Sequence, residues 1–358
     1  MPQAETAREA RARTTLAVMV HGARDLRLAE IPVPVPGPGQ VEIAIGAGGI
    51  CGSDLHYYLE GRIGAIVVRE PLVLGHEIAG TITAIGPAVE ALKLGDRVAI
   101  NPGLACGECR YCRAGLRLHC LDMRFYGSAM RYPHVHGGFR KVLVAEARQC
   151  VSLPADFDLT KAAFAEPLAV CLHAVERAGP LQGRNVLVTG CGPIGALTIL
   201  AARHAGAARI TATDVSAKAL ALARRIGADE TIDVAAAPER LAALAANKGT
   251  FDVAFECAGA APALRGALEA TRARGILVLV GIGGEMQLAM SVAVAKELDL
   301  RGTFRFDGEF DQAVAALVSG RIDPAPLLTD VIPIEEARRA FDLAADKARA
   351  MKVQLSFA

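Results

Sequence analysis

At residues 185–195 the chain reads NVLVTGCGPIG, an apolar strand candidate running straight into a glycine triplet and then into the apolar stretch ALTILAA. Few architectures accept a strand that must turn this sharply into a helix. Gly190, Gly192 and Gly195 have G-x-G-x-x-G spacing, a pattern that plain turns also produce. The context adds weight: Asp214 ends the next apolar run, nineteen residues past Gly195. In a dinucleotide-binding reading, Gly190 permits the tight turn, Gly192 lets the backbone approach a pyrophosphate, and Gly195 lets helix and strand pack closely. Pro193 and Ile194 open the helix whose N-terminus faces the phosphates. Asp214 would accept hydrogen bonds from ribose hydroxyls and repel a 2′-phosphate, which favours NAD over NADP. Lys218, one turn on, is placed to soften that preference. Val280 and Ile282, at the end of GILVLVG, are assigned to the same cofactor site.

Strands and Ala-rich helices alternate around this motif. NVLVTG, RITATD, ETIDV, FDVAFEC, GILVLVG and LDLRGTF read as strands, with helices starting near Pro193, Ser216, Pro238 and Ala260 and Gly227 ending the second. Such βαβ alternation implies an α/β fold with a doubly wound parallel sheet covered on both faces. From about Thr15 to Pro154 the texture differs. Short apolar runs (VEIAI, GTITAI, DRVAI) are punctuated by Gly and Pro, as in a compact barrel of small strands. The expected division is 1–167 for the barrel, 168–304 for the sheet domain, and 305–358 for a return to the first domain. That tail holds helices after Asp311 and Ile334 and a closing strand KVQLSF. Residues 1–14 are polar and Arg/Ala-rich, read as a frayed extension rather than a secretory signal.

Cys106, Cys109, Cys112 and Cys120 lie in CGECRYCRAGLRLHC. Thiolates at this spacing can converge on one tetrahedral ion, and four ligands close its coordination, so the metal would be structural. An iron–sulfur cluster is the rival, but there the fourth cysteine follows after three residues and precedes proline. Here it follows after seven and precedes Leu121, which favours zinc. Nine cysteines, an odd number with metal-type spacing, point to a reducing cytoplasm and few disulfides. Cys150, Cys171, Cys191 and Cys257 read as small apolar fillers. With 39 basic and 38 acidic residues there is no electrostatic case for a nucleic acid or membrane partner. The longest uncharged stretch, 185–202, is broken by three glycines and a proline, so no membrane span is expected.

Cys51 in CGSDLHYY, His76 in VLGHE and Glu166 in FAEPLAV are far apart, and taken singly each also reads as ordinary core. Together with the tetrad and the glycine loop, in this order, these segments resemble the zinc-dependent medium-chain alcohol and polyol dehydrogenases from about Thr15 to the C-terminus. GGICGSDLHYY, DMRFYGSAM, FAEPLAV, TRARG, RGTFRF and KVQL narrow the resemblance to members that oxidise a sugar acid, L-idonate, at C5 to 5-keto-gluconate. The resemblance implies a GroES-like barrel domain beside a Rossmann domain, two Zn²⁺ per chain, NAD with NADP as the alternative, and a homotetramer or homodimer.

It further implies that Cys51, His76 and Glu166 hold a catalytic zinc, with Glu77 a direct ligand in some states or an exchanging neighbour. Asp54 would orient His76, and Ser53 would pass the hydroxyl proton by way of the nicotinamide ribose to His56. For the substrate, Tyr57 and Glu166 would face the sugar. Arg124, Arg131 and Arg305 are candidates for the carboxylate, Arg305 being favoured by RGTFRF; pairing of these arginines within the protein is the equal alternative. A sorbitol- or xylitol-type dehydrogenase remains open as the neighbouring activity. A non-catalytic NAD-binding redox sensor is the reading from another class.

Overall fold

The computed structural model describes residues 13–357. Of the N-terminal extension expected over 1–14, residues 1–12 lie outside the described residues, and Thr14 already opens the first strand.

The first lobe is built around strand Gln40–Gly49, whose alternating apolar residues Val41, Ile43 and Ile45 are buried. It pairs antiparallel with Glu77–Ile85 along one edge. Its other edge is shared by two strands distant in sequence: Val142–Glu146 covers Gln40–Ala44, and the closing strand Lys352–Ser356 covers Ala47–Gly49. Leu328–Pro333 adds parallel to that closing strand, giving a seven-stranded sheet. Ile78, Ile82, Val98, Ile100, Phe139, Leu143, Phe341, Val353 and Leu355 fill one continuous core, so the C-terminus is structural to this lobe.

The second lobe is a six-stranded parallel sheet. Asn185–Thr189 lies at its centre between Arg209–Asp214 and Phe251–Glu256, with Glu230–Asp233 outside the former and Thr271–Leu279 and Asp299–Gly302 outside the latter. This is the doubly wound order, with its switch point between Asn185–Thr189 and Phe251–Glu256. Both faces are covered, which explains the near-continuous apolar strands. Val186 and Val188 pack into one layer with Leu197 and Ile199, and Leu187 packs into the other with Leu264, Leu268 and Leu277. Helices Pro193–His204, Ala217–Arg225, Pro238–Leu244 and Ala261–Ala270 begin where Pro at the first turn or the Ser216 cap places them.

The tail from 305 divides between the lobes. Helix Glu309–Val318 buries Phe310, Ala313, Val314 and Leu317 against helix Ala165–Ala178 in the sheet-domain core, and only from Leu328 does the chain rejoin the barrel sheet. No helix among the described residues is long and apolar enough to cross a membrane.

Candidate active site and metal centres

Cys51 caps helix Gly52–Glu60 and ties itself into the site through that cap: its amide donates to Asp54 Oδ2 at 3.0 Å. Asp54 is fully buried. Its other oxygen accepts from the Gly75 amide at 3.1 Å and lies 3.7 Å from His76 Nδ1, so one carboxylate fixes both the cap and the imidazole. Gly75 adopts φ +93 in the turn that delivers His76, and a Cβ there would strike the Phe139 ring. His76 Nε2 is left facing Ser53 Oγ at 3.5 Å.

Glu77 starts the strand opposite Gly49, whose missing side chain leaves the space the carboxylate occupies. Glu77 Oε2 pairs with the ammonium of Lys352, itself buried and donating to the Ile50 carbonyl at 3.0 Å. Donor atoms of Cys51, His76 and Glu77 lie within 4.8 Å of one another. Glu166, buried in the first turn of helix Ala165–Ala178, faces the same centre without belonging to that closest group.

The electrostatics of this centre call for a cation. Burial pushes the Cys51 thiol up to about 11 and the Glu166 carboxyl up to about 8, with Glu77 adding to both, and burial raises Glu77 as well. Lys352 is raised despite its burial because Glu77, Cys51 and Glu166 surround it. One ammonium thus faces three acids in a dry pocket, where a divalent ion would replace protons that otherwise remain. Cys, His and carboxylate donors with space for a further ligand fit catalytic zinc.

The tetrad is a second centre. Sγ–Sγ separations are 3.9 Å for Cys106–Cys112, 3.5 Å for Cys109–Cys112 and 3.4 Å for Cys106–Cys120. Sulfurs around a tetrahedral zinc stand about 3.8 Å apart. Backbone amides of Cys106 and Asp122 donate to Cys120 Sγ, and that of Leu121 to Cys109 Sγ. Donors of this kind, chiefly the Cys112 and Leu121 amides, bring Cys109 down to about 6. All nine cysteines are free of disulfides, and Cys171 and Cys191 are buried as apolar filler.

At the sheet's switch point the three glycines have distinct reasons. Gly190 adopts φ +83, and a Cβ there would come within 2.7 Å of the Ala258 amide. Gly192 faces open space, and a Cβ on Gly195 would run into the Gly190 carbonyl. Pro193 and Ile194 form the first turn of the helix behind the loop. Asp214 ends its strand beside that loop, accepting from the Cys191 amide at 2.6 Å and from Val215 and Ser216 at 2.8 Å. Val280 is half-buried just past strand Thr271–Leu279, and Ile282 is 79% exposed. Lys218 is turned from the loop: its ammonium donates to the Arg349 carbonyl at 2.6 Å.

The remaining candidates separate. Tyr57 is buried, its hydroxyl accepting from the Ala129 amide at 3.1 Å. His56 is exposed and pairs with Glu60 at 3.0 Å. Arg305 stacks on Phe125, 3.8 Å from its centroid, and Phe125 in turn lies 5.6 Å from His76. Arg124, next to Phe125 on a short strand, is exposed, as alternation requires when its neighbour faces inward. Arg131 is engaged by Asp122 at 2.8 Å. Lys352 and Phe125 were not singled out from the sequence; a lysine opening an apolar closing strand was the available signal for the first.

A glycine loop at the switch point of a doubly wound sheet, together with a barrel-borne Cys/His/Glu centre, defines a metal-assisted dehydrogenase that uses a dinucleotide. Residues 37–155 match the alcohol dehydrogenase GroES-like domain, and residues 193–319 match the zinc-binding dehydrogenase family. L-idonate 5-dehydrogenase (NAD(P)(+)) of Escherichia coli strain K12 is 46% identical over 313 residues, 87% of this chain and 90% of that one. Sorbitol dehydrogenase of Homo sapiens is 38% identical over 331 residues, 91% and 92% of the two chains. The crystal structure of the Escherichia coli L-idonate 5-dehydrogenase superposes with a TM-score of 0.92 at 43% identity, covering 96% of this chain and 98% of that one. The chain belongs to the zinc-dependent medium-chain alcohol and polyol dehydrogenases, NAD(P)-linked oxidoreductases.

Proposed function

We propose that this protein oxidises a secondary hydroxyl of a sugar acid, L-idonate at C5 giving 5-keto-gluconate, with Cys51, His76, Glu77 and Glu166 serving the catalytic zinc and the cysteine tetrad a structural one. Arg305 carries the substrate assignment. It forms no ion pair among the described residues, and its guanidinium donates a hydrogen bond to Met130 Sδ at 3.1 Å. Burial pulls it down to about 10. A desolvated guanidinium beside the metal centre, unmatched by a carboxylate, fits a substrate that brings one.

Held by Cys51, His76, Glu77 and Glu166, zinc would supply Lewis acidity to the substrate hydroxyl, and a nicotinamide at the glycine loop would be the hydride acceptor. The chain's own part is positional. Asp54 holds His76 and Cys51 in register, Lys352 holds Glu77, and Ser53, whose hydroxyl lies 3.5 Å from His76 Nε2, would receive the hydroxyl proton. His56, paired with Glu60 on the exposed face of the same helix, would take that proton by way of the nicotinamide ribose and release it to solvent. Alcohol and cofactor would meet between the metal centre of the first lobe and the glycine loop of the second. Free thiols throughout suit a reducing cytoplasm, and a homodimer or homotetramer is the assembly we infer from the family.

A second reading has its own observation: Glu166 attracts Arg305. If that attraction is the arginine's role, neutral polyols become the substrates. Reduced-cofactor absorbance over L-idonate, D-gluconate, sorbitol and xylitol, with NAD and NADP, decides between them. L-idonate is expected to exceed sorbitol in kcat/KM by about tenfold or more, the value of one charge-assisted contact; equal or better turnover of sorbitol would sink the acid reading.

Cofactor choice gives a further expected result. Asp214→Ser should raise the NADP/NAD ratio of kcat/KM by about tenfold, since the carboxylate no longer repels a 2′-phosphate. It should also weaken NAD itself, because Asp214 anchors the Cys191 amide of the loop. An unchanged ratio in steady-state kinetics would remove Asp214 from the ribose site.

A further inference from the structure

Asp307 lies two residues beyond Arg305 and is gripped from two sides. Its carboxylate pairs at 3.0 Å with Arg117, which lies between Cys112 and Cys120 in the cysteine lobe, 190 residues away. Its amide donates to Glu309 Oε2 at 2.7 Å, and Glu309 Oε1 meets His173 Nδ1 at 2.7 Å. His173 stands on the helix that carries Glu166. The segment 304–308 is therefore a strap, tied to the cysteine lobe on one side and to the Glu166 helix on the other.

Arg305 lies next to the ties in a left-handed conformation, φ +50, which a residue with a side chain keeps only when its surroundings impose it. Its platform, Phe125, lies five residues past Cys120, the last of the tetrad. A cavity of about 240 Å³, lined by Arg117, Phe125, Arg305 and Asp307, separates lobe and strap. Two contacts cross that gap, the stack of Arg305 on Phe125 and, two residues on, the Arg117–Asp307 ion pair.

We propose that Arg117 and Asp307 are positioning residues whose ion pair holds Arg305 over Phe125 and so sets the affinity for the substrate's anionic group. The cysteine lobe then gauges the substrate site besides stabilising itself. This rests on the sugar-acid reading for its kinetic consequence, but the tie itself has a readout that needs no substrate.

The test is charge reversal in the metal-loaded enzyme: Arg117→Asp, Asp307→Arg and the two together. Amide hydrogen exchange across 303–308, without substrate, is expected to accelerate in each single variant and to return in the double. The KM for L-idonate should rise about fivefold in each single variant, the upper range for a partly exposed pair. kcat should hold, the KM for sorbitol should stay within twofold, and the double variant should recover. Unchanged exchange in the singles, no recovery in the double, or an equal rise for sorbitol overturns the proposal. Arg305→Leu is the control for the underlying reading: if it leaves the L-idonate KM unmoved, the acid assignment fails, while the exchange data still decide whether the tie exists. Bound zinc is counted in every variant, and Arg117→Gln replaces Arg117→Asp should the latter lose the tetrad metal.

Discussion

Replacing His76 by alanine is expected to lower bound zinc from about two ions per chain to about one and to cut turnover by more than about a thousandfold, the scale of several kcal/mol of Lewis-acid stabilisation. The loss is confined to one centre because the two share no residue: the tetrad draws on a single loop, while Cys51, His76 and Glu77 come from a helix cap, a turn and a strand. Asp54→Asn, which keeps the shape but weakens the grip on Nδ1, should cost about ten- to a hundredfold in affinity for that ion. Removing the imidazole also leaves Cys51, Glu77 and Glu166 facing Lys352 without a compensating cation, so the pocket should retain protons instead. Elemental analysis separates these effects from the rate. A His76→Ala protein holding two ions and turning over normally would show that the catalytic metal lies elsewhere.

The motifs that sequence exposed are those in which one short segment makes the whole device. The tetrad closes within fifteen residues, and the glycine loop carries its turn, its opening to the phosphates and its packing contact in six. Cys51 was not readable in this way: taken singly it read as ordinary core, and only the family resemblance made it a ligand, although Asp54 three residues on completes its cap. What stayed hidden is made by long-range pairing. Lys352 reaches the centre only because the closing strand inserts beside Gln40–Gly49, which places its ammonium on a carbonyl 302 residues distant. No local spacing encodes that. Arg124 and Phe125 show the complementary difficulty: alternation decides which of them faces the metal, but a two-residue strand gives no period to read. The tail behaved likewise. Phe310, Ala313, Val314 and Leu317 mark a helix with one apolar stripe, yet nothing in the stripe says that its partner is the Glu166 helix rather than the barrel.

Arg305→Leu should raise the KM for L-idonate by about a hundredfold while leaving kcat and the KM for sorbitol nearly unchanged. The magnitude follows from what is lost, a charge-assisted contact made in a partly desolvated site, where truncating one partner costs about 2–5 kcal/mol. The backbone does not confound it. Leucine meets the same left-handed strain at φ +50 as arginine, so folding stability should shift little and the kinetic change reports the guanidinium. Arg305→Gly supplies the contrast: glycine accepts that conformation freely, so this variant should melt no lower than the parent while binding L-idonate as poorly as the leucine variant. Stability and affinity would then move independently at one residue. That is expected of a side chain held in place for a ligand and is not expected of one that serves packing. Should Arg305→Leu impair L-idonate and sorbitol alike, the cation is serving Glu166, and the enzyme is a dehydrogenase of neutral polyols.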